Sequence, residues 1–200
     1  MIDLLKRSAV ALAMTLTMVN ICFAGNPYSI EDAIYKIEIE DGNQLHTGTG
    51  VLIARDTILT NCHVVRHNGF FRVVNRKTGN IYPTQSYKNL GSLDACLLKG
   101  AKFEGNPVRM NAQYKIGESI WAYGYPNQYA AMSQGVMVGQ INTDVGQVLQ
   151  TSTFCHPGSS GGPLVNSLGE LIGLVFGTRR DYQDHCLAIP ISHIISRMSQ

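Results

Sequence analysis

Hydrophobic and polar residues alternate along much of the chain, with turn-forming residues at short intervals. Residues 33–40 (AIYKIEIE) place an apolar side chain at almost every second position, which predicts a strand with one buried face. Residues 48–60 predict two strands around a turn at Arg55 and Asp56. Further predicted strands cover residues 70–75, 95–98, 119–123, 135–141, 147–150, 170–176 and 186–189. Many short strands at this spacing are typical of a β-sandwich or β-barrel.

The last residues of the chain follow a different period. Pro190 can occupy the first turn of a helix, where its missing N–H costs nothing. Apolar residues then recur on one helical face: Ile191, Ile194, Ile195 and Met198. We therefore predict a terminal helix over residues 190–199. The polar stretch at residues 111–119 is the expected boundary between two β units of similar size.

The first residues have the features of a secretory signal peptide. Lys6 and Arg7 precede an apolar segment, residues 9–19, and small residues then lead to Ala24. We expect cleavage after Ala24, which removes residues 1–24 and leaves a mature chain of residues 25–200. The alternative is that the segment is retained as an anchor. We expect no other membrane span, and we place the protein in the periplasm or outside the cell.

Composition limits the possible partners. Hydrophobic residues make up 44% of the chain and charged residues 15%, where soluble domains average about 25% charged. The chain therefore has enough apolar material for a core. The formal net charge is +2, and basic residues occur in pairs at most, so nucleic acid is not an expected partner.

Four cysteines remain once the signal segment is removed: Cys62, Cys96, Cys155 and Cys186. An even number in an exported protein suggests two disulfides, but four cysteines permit three pairings. Three of these cysteines adjoin a histidine, so zinc binding is an alternative. Their spacing matches no zinc finger or ribbon, and we expect neither a metal nor a cofactor.

The stretch HPGSSGGPLV, residues 156–165, holds the strongest candidate nucleophile, Ser160. A serine hydroxyl becomes nucleophilic when a histidine removes its proton and a carboxylate orients that histidine. The oxyanion that then forms needs preorganised donors, and the glycines allow the N–H groups of Gly158 and Ser160 to point the same way. A structural turn is the alternative explanation of the glycines.

Two further residues complete a catalytic set. His63 follows the strand that ends in Ile-Leu-Thr, and Asp94 precedes the buried strand Ala-Cys-Leu-Leu. Each is weak evidence alone, because such residues also cap and turn chains. The order His63, Asp94, Ser160 is one of the known orders of this triad, and we predict that His63 is the general base and Asp94 its orienting acid.

These motifs resemble those of the chymotrypsin-like (trypsin-fold) serine peptidases, in particular the compact HtrA-like and glutamyl-endopeptidase-like bacterial branch, here without a PDZ domain. The resemblance rests on TNCHVV, DACLLK and GSSGGPL in that order, and it covers nearly all of the mature chain. It implies two antiparallel β-barrels, at about residues 30–112 and 113–189, with a catalytic cleft between them and polypeptides as substrates. It also assigns the oxyanion hole to the amides of Gly158 and Ser160.

The resemblance suggests how the cysteines pair. Cys62 adjoins His63, and Cys96, two residues after Asp94, is expected on the same strand face as that acid. Cys155 and Cys186 fall on segments that would line the specificity pocket. We therefore predict the pairs Cys62–Cys96 and Cys155–Cys186.

Several positions depart from the better-known enzymes. Ser159 stands where the digestive enzymes carry the aspartate that pairs with a newly formed N-terminus, so we expect no activation by that route. Phe154 is expected near the base of the specificity pocket, and Val175 near the position of a pocket histidine in glutamyl endopeptidases. Neither a basic nor an acidic residue before the cleaved bond is favoured, and a small or medium apolar residue is expected there.

Two other functions fit parts of the sequence. An esterase of the α/β-hydrolase class would use the same serine, with Asp181 or Asp184 and then His193 downstream. That fold needs a helix directly after the serine, which Gly-Gly-Pro-Leu-Val does not favour. The other alternative is a non-catalytic binding module on the peptidase fold.

Overall fold

The computed structural model describes residues 26–42, 44–66, 70–83, 87–179 and 185–200. The predicted signal peptide, the candidate acids Asp181 and Asp184, and most of the loop before His185 lie outside the described residues. The described chain is mostly β-structure, arranged as one open sheet followed by one closed barrel.

The first unit is a seven-stranded antiparallel sheet with the order β5-β4-β1-β2-β3-β7-β6. Its strands are β1 (Ile34–Asp41), β2 (Gln44–Ala54), β3 (Thr57–Thr60), β4 (Phe70–Val74), β5 (Ile81–Pro83), β6 (Tyr87–Asn89) and β7 (Cys96–Lys99). A 3-10 helix, Pro27–Ala33, precedes this sheet, and a single helical turn, α1 (Cys62–Val65), follows β3.

The second unit is a closed six-stranded barrel with the order β10-β13-β12-β11-β8-β9. Its strands are β8 (Ser119–Gly124), β9 (Ala131–Thr143), β10 (Gly146–Phe154), β11 (Pro163–Asn166), β12 (Leu171–Arg179) and β13 (His185–Pro190). A short 3-10 helix, Pro126–Gln128, separates β8 from β9, and helix α2 (Ile191–Met198) ends the fold.

The structure confirms the expected all-β class, and it corrects one detail. The resemblance implied two barrels, but the first unit is a curled sheet: among the described residues, its edge strands β5 and β6 do not pair with each other. Both edge strands have only three residues, and the side chains of β6 are exposed throughout. The closed barrel and the terminal helix agree with the expectation.

The sequence pattern did not predict three of the strands, and each omission has a physical reason. The strands β5 and β6 are too short to show a period of two. The strand β11 begins with a proline and is buried at all four positions, so no polar residue alternates with its apolar ones. The ten strands that were predicted all exist, although the structure extends several of them.

The core continues from the sheet into the space between the two units. The larger apolar cluster contains side chains of both units, including Tyr35, Leu59, Tyr125 and Leu174. Helix α2 joins it through Ile191 and Ile194, which are fully buried as the helical spacing predicted. A smaller cluster fills the barrel.

The chain crosses from the sheet to the barrel between β7 and β8. The amide of Val108 donates to the Leu52 carbonyl in β2, and the amide of Asn111 donates to the Leu171 carbonyl in β12. The change of partner therefore falls between residues 108 and 111. The division of the chain near residue 112 remains a prediction.

None of the helices in the described ranges is both long and apolar enough to cross a bilayer.

Candidate active site

His63 and Asp94 are brought together by the pairing of β3 with β7. Thr60, the last residue of β3, lies opposite Cys96, the first residue of β7. The chain leaves β3 through Asn61 and enters the turn α1, which carries His63, while Asp94 lies in the turn just before β7. Asp94 is therefore not on the strand itself, and the expected shared strand face with Cys96 is wrong.

The two side chains make a two-point contact. The backbone amide of His63 donates to Asp94 Oδ1 at 2.9 Å, and His63 Nδ1 lies 2.5 Å from Asp94 Oδ2. The side-chain amide of Asn61 donates to the Asp94 carbonyl at 2.7 Å. These bonds fix the orientation of the carboxylate, and the imidazole edge that carries Nε2 is left facing away from it.

The carboxylate of Asp94 is held in its charged form. Burial raises the pKa of Asp94, but the hydrogen bonds from His63, the charge of that imidazole when protonated and the nearby Arg66 outweigh burial, so the pKa lies below its usual value. The side chain of Asp94 is 16% exposed, and that of His63 is 48% exposed. A mostly buried carboxylate thus supports an imidazole that is half-exposed at the surface.

Ser160 lies in the turn between β10 and β11, residues 155–162, which we call the serine turn. This turn is bound to β2 of the other unit. The Thr49 amide donates to the Ser160 carbonyl at 2.8 Å, and Thr60 Oγ1 donates to the Thr49 carbonyl at 2.6 Å. Thr60 is three residues before His63. A short series of hydrogen bonds therefore connects the serine turn to the strand that leads into the histidine.

The peptide planes of the serine turn are held by their carbonyl groups. The Pro157 carbonyl accepts from the Asn127 amide at 3.3 Å, and the Ser159 carbonyl accepts from the Gly162 amide at 3.0 Å. In a planar trans peptide the N–H points opposite to the C=O. The N–H groups of Gly158 and Ser160 therefore point away from these partners, and neither donates to an acceptor among the described residues.

Gly158 has a φ of 102°, which a side chain would disfavour. Ser159 is buried, and its hydroxyl accepts from the His156 amide at 3.3 Å. The neighbouring serine therefore contributes to the shape of the turn. Ser160 is partly exposed and, unlike Ser159, is accessible.

A cavity of about 310 Å³ adjoins Ser160, between the serine turn and β12. Val175 lines this cavity, together with Cys155, His156, Pro157, Ser159, Gly177 and Thr178. Phe154 does not line it: the ring is 51% exposed and packs against His185 with the ring centroids 5.4 Å apart. Side chains alternate along β10, so the burial of Thr153 directs Phe154 outward. Phe154 lines a second cavity, of about 270 Å³, which shares Cys155, His156 and Ser159 with the first, and its expected place at the base of the specificity pocket stays a prediction.

Disulfides join Cys62 to Cys96 and Cys155 to Cys186, with Cα–Cα distances of 4.9 and 5.2 Å. They are compatible with the pairing that the resemblance suggested. The first adjoins the His63–Asp94 pair, and the second ties the start of the serine turn to β13. With all four sulfurs in disulfides, none is available as a thiolate ligand for the alternative zinc site.

The sequence analysis did not identify Thr49. This residue is fully buried and hydrogen-bonds to the serine turn through both its backbone and its side chain. Its signal is a polar residue between two glycines, in the TGTG stretch, where β2 enters the core. Such a hydroxyl needs buried partners, which the sequence does not identify.

Comparison with known proteins gives the family. Residues 48–174 match the trypsin-like peptidase domain, a span that includes His63, Asp94 and Ser160. The chain is 32% identical over 149 residues to the serine endoprotease DegS of Haemophilus influenzae, an alignment covering 68% of this chain and 44% of that protein. The chain thus spans less than half the length of this curated relative.

Solved structures show the same fold. The active form of the Rv3671c protease from M. tuberculosis has a TM-score of 0.77 at 20% identity, covering 98% of this chain and 93% of that one. The HtrA-type protease AlgW, solved with a tripeptide, has a TM-score of 0.74 at 21% identity, covering 87% of this chain and 62% of that one. At these identities the two likenesses show the fold alone.

The fold and the matched domain together define a chymotrypsin-fold protein. The chain belongs to the trypsin-like peptidase family. The α/β-hydrolase alternative is wrong, because the serine turn is followed by strand β11 within an all-β fold and not by a helix.

Proposed function

We propose that this chain is an exported serine endopeptidase that hydrolyses peptide bonds in polypeptides through an acyl-enzyme on Ser160. The family supports the reaction class. The observation that carries the assignment of residues is the two-point contact between His63 and Asp94, with Nδ1 of the imidazole 2.5 Å from a carboxylate oxygen. A carboxylate at that nitrogen favours the tautomer whose Nε2 can accept a proton.

In the proposed reaction, acylation comes first. Nε2 of His63 takes the proton of Ser160 as Oγ bonds to the carbonyl carbon of the substrate. The carbonyl oxygen becomes an oxyanion, which accepts hydrogen bonds from the amides of Gly158 and Ser160. The intermediate collapses, the C–N bond breaks, and the imidazolium transfers its proton to the departing amine.

Deacylation repeats the sequence with water. His63 removes a proton from a water molecule as the water oxygen bonds to the acyl carbon. The Ser160 ester bond then breaks, the serine oxygen regains its proton from His63, and the new carboxylic acid is released. The cycle balances with water as the only co-substrate.

Export is part of the proposal because four cysteines are paired in disulfides, which persist in oxidising compartments. The basic and apolar character of residues 1–24 supports the same conclusion. Fractionation of cells that express the full chain is the direct test. We expect a periplasmic or secreted product shortened by residues 1–24, and an uncleaved cytoplasmic product would contradict export.

The test of the nucleophile uses two neighbouring serines. A fluorophosphonate probe that reacts with activated serines should label the exported protein, and Ser160→Ala should abolish the labelling. Ser159→Ala is the matched control and should keep it, because that hydroxyl lies within the turn. Labelling that is lost only in Ser159→Ala would contradict the assignment of Ser160.

Cleavage of fluorescein-labelled casein then distinguishes the remaining alternatives. We expect casein cleavage in the wild-type protein and none in Ser160→Ala. Hydrolysis of nitrophenyl esters without casein cleavage would indicate an esterase. Binding of casein without labelling or cleavage would indicate a binding module.

A further inference from the structure

Thr49 lies at the contact between the sheet and the serine turn. Its side chain is fully buried, in the middle of β2, and the residue makes four hydrogen bonds. The amide donates to the Ser160 carbonyl at 2.8 Å, and the carbonyl accepts from Thr60 Oγ1 at 2.6 Å. The hydroxyl donates to the Gly158 carbonyl at 2.7 Å and accepts from the Tyr125 amide at 3.0 Å.

Two of these bonds reach the two residues whose amides are the candidate oxyanion donors. The Gly158 carbonyl belongs to the peptide that follows the first amide, and the Ser160 carbonyl to the peptide that follows the second. Two more carbonyls of the turn, those of Pro157 and Ser159, are held by Asn127 and Gly162. Four consecutive peptide planes are therefore fixed, and Thr49 fixes two of them.

The turn needs an external anchor at Gly158. A glycine rotates between positive and negative φ at little cost, so the local chain does not impose the observed φ of 102°. Rotation of the peptide between Gly158 and Ser159 would break the bond to Thr49 Oγ1. The Thr49 hydroxyl holds this peptide from a different unit of the fold, where Thr49 lies opposite Lys36 in the pairing of β2 with β1.

We infer that Thr49 is a positioning residue for the oxyanion hole, acting through its hydroxyl on Gly158. The inference rests on the proposed function, since it assumes that the Gly158 and Ser160 amides bind the oxyanion. Thr49 touches no reacting atom in this role. The loss of its hydroxyl should therefore weaken binding of the transition state more than binding of the substrate.

The test compares Thr49→Val with Thr49→Ser. Valine keeps the shape of threonine and removes the hydroxyl, whereas serine keeps the hydroxyl and removes a methyl group. Removal of one direct oxyanion donor costs about 100-fold or more in kcat, so loss of an anchor behind a donor should cost about 10-fold or more. We expect Thr49→Val to lower kcat on labelled casein by that factor with KM within about 2-fold, and Thr49→Ser to stay near wild type.

An alkylboronic acid gives the readout that a general loss of stability would not move. Its boron bonds to the serine and places an anionic oxygen in the oxyanion hole. We expect its inhibition constant to rise in Thr49→Val by about the same factor as kcat falls, and to change little in Thr49→Ser. Should Thr49→Val fail to fold by circular dichroism, Thr49→Ala, which leaves room for water, takes its place in the same comparison.

The outcomes separate the two proposals. Equal kcat and equal boronate inhibition in the valine and serine variants would overturn the role of Thr49 while Ser160-dependent labelling still supported the proposed function. A rise in KM with no change in kcat would also overturn it, because that pattern indicates a substrate-binding role. Absence of labelling in the wild-type protein would overturn the proposed function itself.

Discussion

At the scale of single residues, Asp94 illustrates how a side chain that is weak evidence in the sequence becomes specific in the fold. An aspartate before a strand is usually a turn residue. Here one carboxylate oxygen accepts from the His63 amide and the other contacts the His63 ring, so the acid fixes both the backbone and the imidazole. The sequence predicted the residue and its partner, but not the backbone bond, because the turn at α1 has no distinctive pattern.

The pKa of Asp94 leads to a prediction on stability and pH. Its pKa is below the usual value in the folded protein, so the unfolded chain binds a proton more readily. The stabilisation is fully present above the unfolded pKa, about 3.9, and is lost as pH falls through the lower folded pKa. We expect the wild-type protein to lose free energy of unfolding more steeply than Asp94→Asn below about pH 4.

Urea unfolding between about pH 6 and pH 3 measures this difference. Asp144→Asn, an exposed aspartate in the turn between β9 and β10, is the matched control and should follow the wild-type curve. Parallel curves for Asp94→Asn and the wild-type protein would contradict the prediction.

In Asp94→Asn we also expect kcat to fall by about 10³-fold or more, because the histidine loses the partner that selects its tautomer.

At the scale of elements, the contact between β2 and the serine turn is what joins the two units at the site. Gly161 lies in this contact with a φ of 84°, and a Cβ there would overlap the Thr49 carbonyl oxygen. Strand β2 was predicted from its alternation, and the tight turn at Ser160 from its glycines. Their contact was not, because pairing between residues 49 and 160 depends on how the chain crosses between the units.

We expect Gly161→Ala to lower the free energy of unfolding by about 2 kcal/mol or more, since it combines an unfavourable φ with an overlap against backbone. Gly139→Ala is the matched control: that glycine lies in β9 and has no atom within 4 Å of an added Cβ. It should change stability by less than about 1 kcal/mol. Urea denaturation monitored by tryptophan fluorescence gives both values. Equal losses of stability in the two variants would refute the requirement for glycine at position 161, where β2 meets the serine turn.

At the scale of the whole molecule, the sequence was sufficient to predict the all-β class of the fold. It was not sufficient to predict that the first unit is an open sheet and the second a closed barrel. Alternating strands and turn spacing predicted an all-β chain, and the resemblance supplied two barrels. The first unit stays open among the described residues because β5 and β6 are short, and the sequence gives no signal for such edges. The disulfides lie one in each unit, Cys62–Cys96 in the sheet and Cys155–Cys186 in the barrel.

Because one disulfide lies in each unit, we expect the loss of either one to lower stability by a similar amount but to affect catalysis differently. The two disulfides close loops of similar length, with sequence separations of 34 and 31, so their effect on the unfolded chain should be similar. We expect the double variants Cys62→Ala/Cys96→Ala and Cys155→Ala/Cys186→Ala each to lose about 2–4 kcal/mol in free energy of unfolding. Their effects on kinetics should differ, because Cys62 and Cys96 flank the His63–Asp94 contact, whereas Cys155, which is bonded to Cys186, lines the cavity beside Ser160.

Loss of the first disulfide should lower kcat, because the histidine and its acid are then held by fewer constraints. Loss of the second should raise KM, because it loosens the wall on which a substrate side chain rests. Casein kinetics at a temperature where both variants remain folded by circular dichroism separates these effects. If both variants changed kcat and KM in the same proportion, the disulfides would act on the stability of the whole molecule and not on the parts of the site that they adjoin.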